Sequence, residues 1–118
     1  MKSILHTNSL LKMSLLMALL FFTVVGIAAD ISLGKAKAEQ VCATCHGLDG
    51  VGIDDTYPKL AGQYADYMEQ SLKSYRSGKR TNGIMAGFAA TLTDEDIANV
   101  AAYYSTLKEN RLTDLTIK

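Results

Sequence analysis

The sequence predicts an all-α domain of three to four helices, and three observations carry that prediction. Beyond Asp30 the apolar residues recur at helical spacing. The residues after Gly47 lack the period-two alternation of a strand. At the end of the first helical stretch stands Cys42-Ala43-Thr44-Cys45-His46, a C-x-x-C-H pentad. Two thiols three residues apart can each add to a vinyl group of one porphyrin, while the adjacent imidazole reaches its iron. The pentad reads as a c-type haem site, with Cys42 and Cys45 as covalent anchors and His46 as an iron ligand.

Three other readings of the pentad are weaker. A redox dithiol wants a thioredoxin-like βαβ surround, which the sequence lacks. Zinc wants three or four ligands, yet the remaining histidine is His6, in a segment expected to be removed. A Cys42–Cys45 disulfide would close a loop too small to add much stability and would leave His46 unexplained.

Residues 1–29 have the layout of a secretory signal. Lys2 and Lys12 precede an uncharged run from Met13 to Ala29, and Gly26, Ala28 and Ala29 are small residues suited to cleavage. An uncleaved membrane anchor is the competing reading, since the run is at the short limit for spanning a bilayer. Cleavage would leave residues 30–118 as one domain with ten Lys and Arg against twelve Asp and Glu, a formal charge of −2. That balance gives no reason to expect nucleic acid as a partner. A domain of 89 residues has room for one haem, and its marginal apolar core would gain a flat apolar centre from it.

Along the expected domain, Asp30 or Ser32 caps a helix over Leu33 to Cys45, with Ala38, Val41, Cys42 and Cys45 on one face. Gly47 to Asp55 has loop composition, and Pro58 opens Pro58-Lys59-Leu60-Ala61-Gly62-Gln63. A second helix runs from about Tyr64 to Ser77 and stops near Gly78, with Tyr64, Met68, Leu72 and Tyr75 as its apolar stripe and Tyr67 beside it. Asn82 to Ala90 is expected as a glycine-flanked loop around Met85. Thr93 caps a third helix whose first turn carries Asp94, Glu95 and Asp96 near the positive end of its dipole. Its apolar series is Ile97, Val100, Ala101, Tyr104 and Leu107. Arg111 to Leu115 reads as a frayed tail.

The second iron ligand decides between electron transfer and ligand chemistry. With His6 removed and both cysteines used, the soft donors left are Met68 and Met85. Met68 falls on a helical apolar stripe, where methionine is ordinarily core filling. Met85, 39 residues after His46 in an expected loop, is assigned as the ligand, with an unligated pocket as its alternative.

With the pentad, Pro58, Met85 and the final helix in this order, residues 32 to 108 resemble the small class I cytochromes c. The likeness is strongest to one module of the bacterial periplasmic cytochromes that occur singly or as tandem di-haem proteins. P-K-L-A-G-Q at Pro58 to Gln63, Gly78 to Asn82 leading to Met85, and L-T-D-E-D-I at Leu92 to Ile97 add to the pentad. The resemblance implies the small cytochrome c fold wrapped around one covalently attached haem. It also implies a bond from His46 to the Pro58 carbonyl and a crossing of the first and last helices at Gly34 and Tyr103 or Tyr104. Arg80 is its candidate for a haem propionate.

The function expected from this is periplasmic transfer of single electrons between respiratory redox proteins, without catalysis by the chain itself. Methionine raises the haem potential relative to two histidines, which suits an oxidising segment of a respiratory chain. Donor and acceptor would be membrane respiratory complexes or a periplasmic dehydrogenase, with membrane attachment only if the N-terminal segment is retained. An electron-accepting subunit of a dehydrogenase is the alternative. A haem enzyme or gas sensor is further off, because four-helix cytochromes of that kind carry the pentad near the C-terminus. Lys73, Arg76, Lys79 and Arg80 form a basic cluster read as a docking patch or as a solvated helix end.

Overall fold

Residues 28–107 are described by a computed structural model. The expected signal segment lies outside them apart from Ala28 and Ala29, as does the expected tail at 111–115. Among the described residues there are five helical segments and no strand, in agreement with the all-α prediction: α1 (Ile31–Val41), α2 (Ala43–His46), α3 (Ala65–Arg76), α4 (Gly83–Ala90) and α5 (Asp94–Ser105). No described helix is long and apolar enough to cross a membrane.

Asp30 is the cap of α1: its carboxylate accepts from the amides of Ser32 at 2.8 Å and Leu33 at 3.0 Å. The expected single helix over Leu33 to Cys45 is instead two, because the ladder is interrupted at Cys42 before a last turn that carries the rest of the pentad. Its buried face is Gly34 and Ala38.

α1 crosses α5 at Gly34, and this is the most extensive helix pairing of the fold. A Cβ on Gly34 would lie 2.0 Å from the Asn99 carbonyl oxygen and 3.0 Å from Tyr103 Cβ, so only glycine lets the backbones approach this closely. The resemblance implied this crossing, and the structure contains it, with Tyr103 at the contact. The buried Asn99 contributes what the sequence reading missed: its Oδ1 accepts from the Asp30 amide at 2.7 Å, closing the start of α1 onto α5. Lys37 and Asp96 add an ion pair of 3.2 Å, partly exposed and therefore of modest weight.

The final helix begins as predicted. Thr93 Oγ1 accepts from the Asp96 amide, and the Asp96 carboxylate accepts from the Thr93 amide, both at 3.0 Å, a reciprocal capping box. Ile97, Val100, Ala101 and Tyr104 are buried. With Ala38, Met68 and Tyr103, the last three form the core, against which Cys42, Leu48, Leu60 and Leu107 pack.

Two expectations need correction. The loop expected over Asn82 to Ala90 is the helix α4. Asn82 caps it, accepting from the Met85 amide at 3.0 Å, and neither Gly83 nor Gly87 has the positive φ that would end a helix. The apolar stripe of α3 is also narrower than expected: Met68 is buried, but Tyr64 and Tyr67 are exposed, and Tyr64 is the N-cap residue rather than part of the helix. The stop at Gly78 holds, with φ +77° after the Ser77 C-cap.

Candidate functional site

The pentad sits at the end of the α1–α2 arm, and the chain after it folds back to hold it. The Gly52 amide donates to the His46 carbonyl at 2.8 Å, and the Ile53 amide to the Cys45 carbonyl at 3.1 Å. Gly47, at φ +74°, supplies the turn that makes this return possible. The next two carbonyls are taken from across the fold: Tyr104 Oη donates to Gly47 O at 3.0 Å and Tyr103 Oη to Leu48 O at 2.8 Å. Gly50 then packs so tightly that a Cβ there would lie 2.8 Å from the Ala61 amide nitrogen and 2.9 Å from the Tyr104 ring. Four consecutive carbonyls, Cys45 to Leu48, are thereby occupied by donors from the loop and from α5.

His46 is the buried centre of this arrangement, with only 7% of its surface exposed. Its Nδ1 lies 2.8 Å from the carbonyl oxygen of Pro58, twelve residues on. A carbonyl can only accept, so Nδ1 carries the proton, and the lone pair is on Nε2. That is the tautomer of an imidazole ready to bind a metal through Nε2. The Tyr57 ring meets the imidazole edge-on, with centroids 6.4 Å apart.

Cys42 and Cys45 are free, half-buried thiols. Burial pushes the Cys42 thiol up to about 11, favouring its neutral form, and its side chain packs against the core. No group of three or more His, Cys, Asp or Glu side chains placed to hold a metal ion exists among the described residues.

The other sequence candidates fall on different elements. Met85 is half-buried on α4, which packs on α3. Met68 belongs to the core, as its helical spacing implied. Arg80 lies just beyond α3, with its guanidinium 4.7 Å above the Tyr75 ring and Nη1 donating to Ser71 Oγ at 2.7 Å. The basic cluster is partly paired. Lys73 bridges to Glu69 at 3.2 Å, and Arg76 binds Asp94 and the Leu92 carbonyl, while Lys73, Arg76 and Lys79 share one open polar concavity with Ser74, Ser77 and Asp94. The Arg76 guanidinium holds the Asp94 carboxyl below the usual carboxylate range.

A helical shell that presents two thiols and a buried, Nε2-ready histidine is the framework of a c-type haem protein. The cytochrome c family model matches residues 31–108, and the chain belongs to that family. Its cofactor is therefore a covalently bound haem c, and its class is that of the electron-carrying cytochromes. The chain is 48% identical over 81 residues to cytochrome c-554(548) of Halomonas halodenitrificans, covering 66% of this chain and 96% of that one. It is 46% identical over 70 residues to the thiosulfate dehydrogenase electron acceptor of Stutzerimonas stutzeri, covering 58% of this chain and 32% of that one. The solved cytochrome c4 of Acidithiobacillus ferrooxidans is similar with a TM-score of 0.61 and 37% identity, over 69% of this chain and 52% of that one. The chain thus spans nearly all of the first relative, but about a third of the second and half of the third.

Proposed function

We propose that the chain is an exported carrier of single electrons. Its haem is attached through Cys42 and Cys45, and the iron is ligated by His46 and Met85. The observation that carries this reading is the His46–Pro58 bond, which fixes the ring plane and leaves Nε2 as the donor to a metal. His46 and Met85 would hold the iron, the bound haem would supply the one-electron couple, and the chain itself would contribute no catalytic group. Arg80, already oriented by Ser71 and Tyr75, is the cation assigned to a haem propionate.

Residues 1–29 act as the cleaved export signal and 30–118 as the domain, which places the carrier in the periplasm between a dehydrogenase or respiratory donor and a respiratory acceptor. A dedicated electron-accepting subunit is the second reading, favoured by the 46% identity to the thiosulfate dehydrogenase electron acceptor.

The test uses export-matured protein. Mass spectrometry after denaturation should show the added mass of one haem and a chain beginning near Asp30. The reduced protein should resist carbon monoxide, and the oxidised protein should show the weak sulfur-to-iron absorption, with Met85→Ala losing both properties. A bare polypeptide would defeat the attachment reading, and ready carbon monoxide binding by the unmodified protein would favour a sensor or enzyme.

A further inference from the structure

We propose that Arg76 is a positioning residue for Met85: it latches the C-terminal end of α4 onto α3 and so sets how firmly the methionine stays on the iron. The inference rests on the ligand assignment above. α3 is the helix on which α4 mainly packs, so α4 is held by one neighbouring helix and by its two chain exits. Both exits are tied to α3. On the entry side the Arg80 amide donates to the Ser74 carbonyl at 3.1 Å, and its guanidinium holds Ser71. On the exit side Arg76 Nη1 donates to the Leu92 carbonyl at 3.0 Å, while Nη2 binds the Asp94 carboxylate.

The exit contact is the more consequential of the two. Leu92 lies two residues past the end of α4, and Asp94 opens α5, so one guanidinium spans the junction between them from a third helix. A forked arginine can hold a carbonyl and a carboxylate at once, whereas lysine offers a point charge for one of them. Without the fork, the polar ties at the exit of α4 are the Leu92 and Thr91 amides and the Thr91 hydroxyl folded back on Ala89 and Phe88, bonds internal to that turn, and burial of Ala89 and Leu92 remains as the apolar anchor. The segment carrying Met85 then has its C-terminal end held to α3 by packing alone, and more loosely. A ligand on a loosened segment dissociates more often, and carbon monoxide enters the reduced iron through that dissociated state.

The experiment compares haem-loaded, exported wild type, Arg76→Ala, Arg76→Lys, Asp94→Asn and Asn99→Ala. The last removes the Asp30 bond at the α1–α5 crossing and serves as a destabilised control away from the latch. Unfolding midpoints, the sulfur-to-iron band and the rate of carbon monoxide uptake by the reduced protein are measured for each. Arg76→Ala should take up carbon monoxide about tenfold faster, since it loses both bonds of the fork, the one to the exposed Asp94 carboxylate being the weaker. Arg76→Lys and Asp94→Asn should fall between it and wild type, and Asn99→Ala should match wild type despite its lower midpoint. Uptake that follows the midpoint across all variants, or that is unchanged in Arg76→Ala, overturns the latch while leaving Met85 as ligand. A wild type without the band overturns both.

Discussion

Tyr103 and Leu48, 55 residues apart in sequence, are joined by a 2.8 Å hydrogen bond from the phenol to the carbonyl, and Tyr104 makes the corresponding bond to Gly47. The last helix thereby grips the chain immediately after the pentad histidine His46. The two bonds differ in redundancy. Gly47 O also accepts from the Gly50 amide at 3.2 Å, whereas Tyr103 is the donor to Leu48 O. Tyr103→Phe should therefore cost about 1–2 kcal/mol and Tyr104→Phe about 1 kcal/mol or less. Denaturant titration should show lower midpoints at unchanged slope.

Gly34 and Gly78 are both glycines of consequence, for different reasons. A Cβ at Gly34 strikes the Asn99 backbone and forces α1 from α5, while one at Gly78 meets nothing within 4 Å and suffers only the left-handed conformation. Gly34→Ala should cost about 3 kcal/mol or more, and Gly78→Ala about 1 kcal/mol. Equal midpoints for the two variants would contradict the close crossing.

The carboxyls of Asp94 and Asp96 are both held low, the first by Arg76 and the second chiefly by the Thr93 amide. Their folded values lie below the unfolded value of about 3.9, so the stability they contribute is present above about pH 5 and lost as pH falls through the folded values. Unfolding midpoints should decline below about pH 4, and Asp96→Asn should flatten that decline. A midpoint that rises on acidification would reverse the assigned sign.

The bond between His46 and Pro58 should make the Nδ1 proton of the haem-loaded protein slow to exchange and visible by NMR. Pro58→Ala keeps a carbonyl at that position but releases the fixed φ of proline, so exchange should quicken while stability falls by no more than about 1 kcal/mol. A proton already lost within the mixing time in the unmodified protein would argue against the bond.

Local signals were legible where a few neighbouring residues suffice. The capping box at Thr93 and Asp96, the stop at Gly78 and the burial of Met68 follow from side-chain chemistry and helical period. The same logic misread α4, because two glycines and a methionine look like a loop. Asn82 as cap and the five apolar neighbours Ile84, Ala86, Phe88, Ala89 and Ala90 outweigh the glycine cost once the segment packs on α3. It also overextended the stripe of α3, since tyrosines at helical spacing can face solvent. Arg76, read as one member of a basic cluster, is a tie between three segments, and only the partners show it.

By itself the sequence determined the chemistry that is contiguous in the chain, thiols and imidazole in one pentad, together with the helical class, while the Pro58 contact was implied by the family resemblance. These depend on short separations, where covalent connection already limits the geometry. Tertiary structure decided which distant groups close the fold around the pentad: Asn99 closing Asp30, the two tyrosines occupying Gly47 and Leu48, and the packing on α3 of the helix that carries Met85. Those choices belong to packing, because a buried carbonyl must find a donor wherever the folded chain brings one, and sequence separation says nothing of which donor that is.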